Sequence, residues 1–250
     1  MTRSRIVWFY MSLLFIPCLT FDSAHILAED ESNDLSPVVV ELFTSEGCSS
    51  CPPADKLLDK LRADDVLVLS FHVDYWNHLG WRDPFSSPEF TQRQSQYAIL
   101  FKLDQVYTPQ MVVGGETEFV GSDRKAATAA ISEAKRNLVT RSLKLEAKMN
   151  SGRLQANYSV GVPTENTRLN LAVVQKSDIS HATAGENAGT KLPHVNIVRS
   201  LKTIEVNSSN PGSVELEVPD GIKHDELFVV GYLQNISTGK IGAAVTQPIR

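Results

Sequence analysis

Two cysteines stand three residues apart at the point where a strand-like segment gives way to a helix-like one. The run Val38–Phe43 (VVVELF) is mostly apolar and rich in valine, which is typical of a strand buried on both faces. Pro52 and Pro53 lack an N–H group, so a helix tolerates them only in about its first turn. They therefore place the start of a helix close to Cys48 and Cys51, and the segment predicts a strand, a Cys-x-x-Cys turn and a helix.

Thiols at the start of a helix are well placed for redox chemistry. The positive end of the helix dipole and its unpaired N–H groups stabilise a thiolate and lower the pKa of a thiol held there. We expect Cys48, which is nearer to the strand, to be the more exposed of the two and to attack the disulfide of a substrate. Cys51 would then resolve the mixed disulfide that forms.

Two other roles remain open for the cysteine pair. A structural disulfide would close a loop that contains only Ser49 and Ser50, and closing so short a loop removes little chain entropy. A metal site would need further Cys or His ligands at a suitable spacing, and the sequence contains no second Cys-x-x-Cys. Thiol chemistry therefore accounts for the pattern better than either alternative, and no metal ligand is assigned.

Residues 36–140 alternate between strand and helix patterns in the order β-α-β-α-β-β-α. Short apolar runs mark the strands, a Ser-Pro entry or a Ser or Asp cap marks the later helices, and a Gly-Gly pair between two short runs predicts a hairpin. The predicted strands are 38–43 and 66–73, with a hairpin over 110–121, and the predicted helices are 52–61, 87–103 and 122–139.

The character of the chain changes after residue 140. Short segments that alternate apolar and polar residues, separated by Gly, Pro and Asn, predict a small antiparallel β-sandwich-like domain over residues 141–250. Within it, residues 177–195 are a long polar stretch, which we expect to be a loop. His194, like the other histidines of this half, is expected to be solvated.

Thr108 and Pro109 open the third strand, and with them the pattern resembles the thioredoxin fold. The resemblance rests on the succession strand, Cys-x-x-Cys, helix, strand, helix, Thr-Pro, hairpin and last helix. It implies that Pro109 follows a cis peptide bond and lies against the disulfide. It also implies that the backbone at Thr108 pairs with the chain of a substrate.

Four runs carry a closer resemblance, which covers nearly all of the chain beyond residue 36. They are ELFTSEGCSSCPPAD, FHVDYWNHLGW.DPFSSPEFTQRQ, VYTPQMVV and GENAG.KLPHVNIVR. They are similar to a bacterial family of secreted thioredoxin-like proteins of unknown function, which implies the two-part architecture and the redox-type site but no substrate. For Gly185–Asn187, in the last run, we expect a capped surface turn, with a fold back over the cysteine edge as the alternative.

The connection over residues 72–88 should also meet the cysteines. If the first two strands are parallel and the third is antiparallel to them, the relevant strand ends share one edge of the sheet. Trp76 and Trp81 are then candidates for a substrate-facing wall. His72 or Asp74 could manage protons for the resolving thiol, and each is otherwise expected to be structural.

Residues 1–28 have the pattern of a secretory signal peptide. Two arginines precede an apolar stretch that is too short to span a bilayer, and cleavage is expected after Ala28, with Ala24 as the alternative. Pro17 directly before Cys18 fits a lipid-anchor signal poorly. We therefore expect export to the periplasm or the medium, without a lipid anchor at Cys18.

The chain that remains after cleavage would be acidic. It would carry 22 basic and 28 acidic side chains, a net charge of −6, which argues against a nucleic-acid partner. No later stretch is long and apolar enough to span a membrane. Only Cys48 and Cys51 would be left, in an oxidising compartment that favours their disulfide.

The sequence therefore predicts an exported thiol–disulfide oxidoreductase-like protein, with a thioredoxin-like fold followed by a small antiparallel β-sandwich. It would exchange disulfides with protein or small-molecule thiols, need no cofactor, and depend on a redox partner to reset the cysteine pair. Two alternatives stay open. One is a periplasmic copper-binding protein that uses Cys48, Cys51 and His72, and the other is a non-enzymatic binding module.

Overall fold

Buried strands from both halves of the chain build the centre of this fold. The structure is a computed structural model that describes residues 36–138, 143–161, 165–206 and 211–250. The predicted signal peptide, with Cys18, lies outside the described residues, and so does residue 140 at the predicted domain boundary.

The first seven elements follow the predicted order. They are β1 Val38–Thr44, α1 Pro52–Leu61, β2 Val66–His72, α2 Pro88–Phe101, β3 Gln110–Val113, β4 Thr117–Val120 and α3 Arg124–Arg136. A short 3-10 helix, Asn77–Leu79, lies between β2 and α2. Side-chain oxygens of Ser87 and Asp123 cap α2 and α3. Among the described residues, no helix is both long and apolar enough to cross a membrane.

β1 lies in the middle of the N-terminal part of the sheet. It pairs in parallel with β2 and antiparallel with β3, and β4 completes a hairpin with β3. The alternation of a strand sends Val40 and Leu42 to the face covered by α1 and α3, and Val39 and Phe43 to the face covered by α2. Both faces are therefore buried, which explains the nearly continuous apolar run.

The second half adds strands β5 to β11 within the described residues. They are β5 Leu143–Asn150, β6 Arg153–Val160, β7 Thr167–His181, β8 Lys191–Glu205, β9 Gly212–Leu216, β10 Leu227–Asn235 and β11 Ile241–Pro248. A 3-10 helix, His224–Glu226, precedes β10. Strands β5, β6 and β9 form a small antiparallel sheet, in keeping with the antiparallel structure predicted for this half.

The other strands of the second half extend the N-terminal sheet. The order of this eight-stranded sheet, counted over the described residues, is β11-β10-β7-β8-β2-β1-β3-β4. β8 runs parallel to β2 and meets it where Ile197 lies opposite Ser70. This edge of β2 is covered because Val198 of β8 packs in the same apolar cluster as Phe71 of β2.

The two predicted domains, residues 36–140 and 141–250, share this sheet. Both lie within one compact unit that spans residues 35–250. A division at residue 140 stays a prediction, since that residue is outside the described ranges.

β7 and β8 form a long two-stranded arm. Each strand has 15 residues, and β10 pairs only with the first part of β7. In the free part of the arm, Ser177 lies opposite Val195 and His181 opposite Lys191. The prediction of a loop over residues 177–195 is therefore wrong for 177–181 and 191–195, which are strand.

The arm forms because one of its faces is buried. Leu192 and His194 alternate along β8, each is only 3% exposed, and α1 packs against this strand. The prediction that His194 is solvated rested on its polar surroundings in the sequence, and it is wrong because this face of the arm is buried. Residues 182–190 make the turn between the strands, and we call this turn the arm tip.

A buried cluster around the Glu41–Arg93 ion pair joins the two halves on the α2 face of the sheet. Arg93 donates from Nε to Glu41 Oε1 at 2.7 Å and from Nη2 to Glu41 Oε2 at 3.0 Å. The hydroxyl groups of Tyr97 and Tyr232 also donate to this carboxylate. The cluster therefore ties together α2, β1 and β10.

We expect Arg93→Met to lower the free energy of unfolding by about 3–5 kcal/mol, because it leaves the Glu41 carboxylate buried without its cation. Urea unfolding followed by circular dichroism measures the change. Arg62→Met is the matched control: Arg62 pairs with Asp59 on the exposed side of α1, and its loss should cost at most about 1 kcal/mol. Equal losses in the two variants would contradict the buried role of Arg93.

Candidate redox site at the cysteine pair

Cys48 and Cys51 lie in the turn from β1 to α1 and form a disulfide. Their Cα atoms are 5.5 Å apart. Cys51 is the residue that caps α1, and its carbonyl oxygen accepts hydrogen bonds from the N–H groups of Ala54 (2.8 Å) and Asp55 (3.1 Å). The pair therefore sits at the N-terminus of α1, as the sequence predicted.

Both cysteines are buried. Cys48 is 1% exposed and Cys51 is 0% exposed, whereas Ser49 and Ser50 between them are exposed. The expectation that Cys48 faces solvent is therefore wrong. The sequence could not show that the arm tip contacts Cys48, because Asn187 lies 139 residues further along the chain.

The Thr108–Pro109 segment does meet the disulfide. The peptide bond between these residues is cis, as the resemblance to the thioredoxin fold implied. Cys48 Sγ lies 3.9 Å from the carbonyl oxygen of Thr108 and 3.3 Å from the hydroxyl oxygen of Ser50. Two of the three segments expected at this edge of the sheet are thus in contact.

Trp76 and Trp81 bring the third segment, the connection after β2, to the same place. Trp76 Nε1 donates to the hydroxyl oxygen of Thr108 at 2.8 Å, and Trp81 Nε1 donates to Glu46 Oε2 at 2.7 Å. Gly47 lies directly against Trp76, because a Cβ at this position would come within 2.9 Å of the Trp76 Cβ. Both indoles are half-buried walls of the site, and their role in binding a substrate stays a prediction.

The two predicted acid–base residues lie in different surroundings. His72 is buried at the end of β2, with Nδ1 2.7 Å from Asp83 Oδ2. Burial alone would raise the pKa of Asp83, but His72 and the N–H donors around this carboxylate hold it below its usual range. Asp74 instead accepts a hydrogen bond from the Thr91 hydroxyl of α2 at 2.6 Å.

Sequence reasoning missed a second carboxylate–imidazole contact in the same cluster. His194 Nε2 lies 3.2 Å from Glu46 Oε1, and the rings of His72 and His194 are 4.7 Å apart. Glu46 is also linked to the first pair, because its N–H donates to Asp83 Oδ2 at 2.9 Å. The sequence contained a signal for this contact in the run KLPHV. If this run is a strand, alternation places His194 on the same face as Leu192.

The arm tip folds back over the cysteine turn, so the expectation of a capped surface turn at Gly185–Asn187 is wrong. The side-chain amide of Asn187 donates to the carbonyl oxygens of Glu46 (2.8 Å) and Cys48 (3.0 Å). The Glu186 carboxylate accepts from the N–H of Ser49 at 2.9 Å. This turn also packs tightly, because a Cβ at Gly185 would lie 3.3 Å from the Trp81 Cβ.

Asp55 is a further acid that the sequence did not single out. It lies in the first turn of α1, one turn after Cys51, and its side chain is buried. Burial raises the pKa of Asp55 from 3.8 to about 6, although nearby His194 acts in the opposite direction. A carboxyl group with a pKa of about 6 thus lies in the first turn of α1, close in sequence to Cys51.

The described residues contain no group of three or more His, Cys, Asp or Glu side chains arranged to hold a metal ion. Cys48 and Cys51 are bonded to each other, and His72 faces Asp83. The ligand set that a copper site would need is therefore not assembled within these residues.

Asp55 predicts a pH-dependent stability. Because the folded protein holds a proton on Asp55 more tightly than the unfolded chain does, the stability of the wild type relative to Asp55→Asn should fall as pH rises from 4 to 7. The expected fall is about 2 kcal/mol, and urea unfolding across this range measures it. Asp59→Asn, on the exposed side of the same helix, is the control. A difference between wild type and Asp55→Asn that does not change with pH would refute the buried, protonated Asp55.

Comparison with known proteins shows what the chain is similar to. It is 28% identical over 93 residues to thioredoxin from Methanocaldococcus jannaschii, a match that covers 37% of this chain and 89% of that protein. A crystal structure of protein AGR_C_4864 from Agrobacterium tumefaciens is similar with a TM-score of 0.65 and 30% identity, over 84% of this chain and 92% of that one. Residues 39–234 match the family described as protein of unknown function (DUF1223). Because this match covers more than half of the chain, the protein belongs to the DUF1223 family.

Proposed function

We propose that this protein is an exported thiol–disulfide oxidoreductase-like protein that exchanges disulfides through Cys48 and Cys51. The observation that carries the proposal is the place of their disulfide, at the N-terminus of α1 and with Cys48 Sγ 3.9 Å from the Thr108 carbonyl oxygen. A helix N-terminus stabilises the thiolate that such chemistry releases. The similarity to an archaeal thioredoxin supports the same function and a thioredoxin-like fold for the N-terminal part.

The exchange would start from the disulfide. A partner thiolate attacks Cys48 Sγ, a mixed disulfide forms, and the Cys48–Cys51 bond breaks. Cys51 leaves as a thiolate and takes up a proton. A second partner thiolate attacks the partner's sulfur in the mixed disulfide, and Cys48 leaves as a thiolate. The cysteine pair gains two electrons and the partner leaves as a disulfide, while the reverse sequence oxidises the pair with Cys51 as the resolving thiol.

We assign proton transfer near Cys51 to the buried cluster rather than to Asp74. Asp55 follows Cys51 by one helical turn, and the raised pKa of about 6 keeps it able to take up and release a proton near neutral pH. His72 belongs to the same buried cluster through His194, whereas Asp74 is held by Thr91 of α2.

Substrate docking in this proposal uses the segments that surround Cys48. Thr108 and Pro109 present backbone beside the sulfur, and Trp76 fixes the Thr108 side chain through its indole N–H. Trp81 forms the neighbouring wall. Export would take the protein to the periplasm or the medium, an oxidising compartment in which the disulfide persists, and a redox partner would reset the pair.

The burial of Cys48, at 1% exposure, favours a second candidate. In a non-enzymatic binding module the disulfide would only hold the turn in shape. The two functions differ in whether Cys48 ever bonds to another molecule.

The Cys51→Ser variant separates them, because a mixed disulfide on Cys48 could then no longer be resolved. We expect it to accumulate adducts on Cys48 in the exported fraction, which mass spectrometry after acid quenching would identify. The double variant Cys48→Ser/Cys51→Ser, which has the same fold-stabilising contacts apart from the two sulfurs, should carry none. If the folded Cys51→Ser protein, in which Cys48 is intact, carries no adducts, the binding module is favoured.

A further inference from the structure

A segment from the far half of the chain lies against the backbone of the cysteine turn. Ser49 and Ser50, which lie between the two cysteines, are exposed, yet Cys48 itself is 1% exposed. An attacking thiolate must reach Cys48 Sγ. The structure therefore requires some segment to move aside before the disulfide can react.

The arm tip contacts this turn through three hydrogen bonds. Asn187 is 8% exposed, and its amide holds two backbone carbonyl oxygens, those of Glu46 and Cys48. Thr108, the other neighbour of Cys48 Sγ, lies two residues before β3, whose position is fixed by pairing with β1 and β4. The arm tip, by contrast, joins two strands beyond the part of β7 that pairs with β10, so we take it as the segment that moves.

The arm tip also places a negative charge at the entrance. The Glu186 carboxylate is exposed and accepts a hydrogen bond from the N–H of Ser49, the residue next to Cys48. This hydrogen bond lowers the pKa of Glu186, so the group is ionised at neutral pH. An incoming molecule with its own carboxylate would approach a like charge.

We propose that the Glu186–Asn187 turn decides which thiols react with Cys48: Asn187 holds the turn closed over the disulfide, and Glu186 disfavours anionic thiols against neutral and cationic ones. The inference rests on the proposed function, since the turn matters only where the disulfide is exchanged. It names the substrate class as thiols that carry no negative charge close to the sulfur. Neither residue acts on the sulfur directly, so both are specificity-determining rather than catalytic.

The test measures the rate at which three small thiols reduce the Cys48–Cys51 disulfide of the folded protein. Cysteamine is cationic, 2-mercaptoethanol neutral and thioglycolate anionic. Rates are expressed per concentration of thiolate, and each thiol is compared only between wild type and variant, so that its intrinsic reactivity cancels. Thr183→Ala, an exposed position of the same arm tip, is the control and should leave all three rates unchanged.

Asn187→Ala removes both hydrogen bonds of the amide and should raise all three rates about tenfold or more. Glu186→Gln keeps the shape and the acceptor for the Ser49 N–H but removes the charge. It should raise the thioglycolate rate about threefold, raise the 2-mercaptoethanol rate by a smaller factor and leave the cysteamine rate nearly unchanged, because the three attacking thiolates carry net charges of −2, −1 and 0. High salt should weaken the influence of the Glu186 charge on the wild-type rates.

A second variant keeps the test valid if Asn187→Ala does not fold. Asn187→Asp has the same size but turns an acceptor toward the two carbonyl oxygens, so it should open the turn at neutral pH and raise the 2-mercaptoethanol rate. Rates that stay within twofold of wild type in whichever Asn187 variant folds would overturn the closed turn. Equal changes for all three thiols in Glu186→Gln would overturn the charge selection. A disulfide that no thiol reduces in any folded variant would instead overturn the proposed function itself.

Discussion

The side-chain amide of Asn187 makes the contact on which the organisation of the site depends. It donates to the carbonyl oxygens of Glu46 and Cys48, two backbone groups of a turn that is buried on this side. Buried carbonyl groups need hydrogen-bond partners, and here the partner comes from the β7–β8 arm. The cysteine turn is therefore completed only when the second half of the chain has joined the sheet beside β2.

The same arm explains why the polar cluster beneath the cysteines is buried. β8 carries His194 to Glu46, and the connection after β2 carries Asp83 to His72. Each imidazole thus faces a carboxylate, and α1 closes the cluster with Asp55. Burying this many ionisable groups is costly unless they are paired, and their pairing depends on the contacts of three separate elements. The site is consequently a product of the whole sheet and not of the Cys-x-x-Cys turn alone.

Much of this could be predicted from local sequence patterns. The strand before Cys48, the helix start set by Pro52 and Pro53, and the cis bond before Pro109 were all predicted, because each depends on nearby residues or on a motif with a known order of elements. The exposure of Cys48 was predicted wrongly, since the residue is 1% exposed and contacts Thr108 and Asn187, which lie far away in the chain.

The arm shows what hydrophobic periodicity in the sequence does not predict. Its outer residues are polar, which favoured a loop, and only the pairing of β8 with β2 and the packing of α1 on β8 show why the strands continue. Strand periodicity reports which residues share a face, but it carries no information on which edge of a sheet the strand will join. His194 was misplaced for the same reason.

The central claim is that the Cys48–Cys51 disulfide of the folded protein exchanges with other thiols. Equilibration in glutathione buffers of increasing reduced fraction, followed by alkylation and mass spectrometry, tests it most directly. The account predicts a reversible passage from the oxidised to the reduced pair while near-ultraviolet circular dichroism stays that of the folded protein. A pair that remains oxidised at every buffer composition, and is reduced only when the protein unfolds, would contradict it.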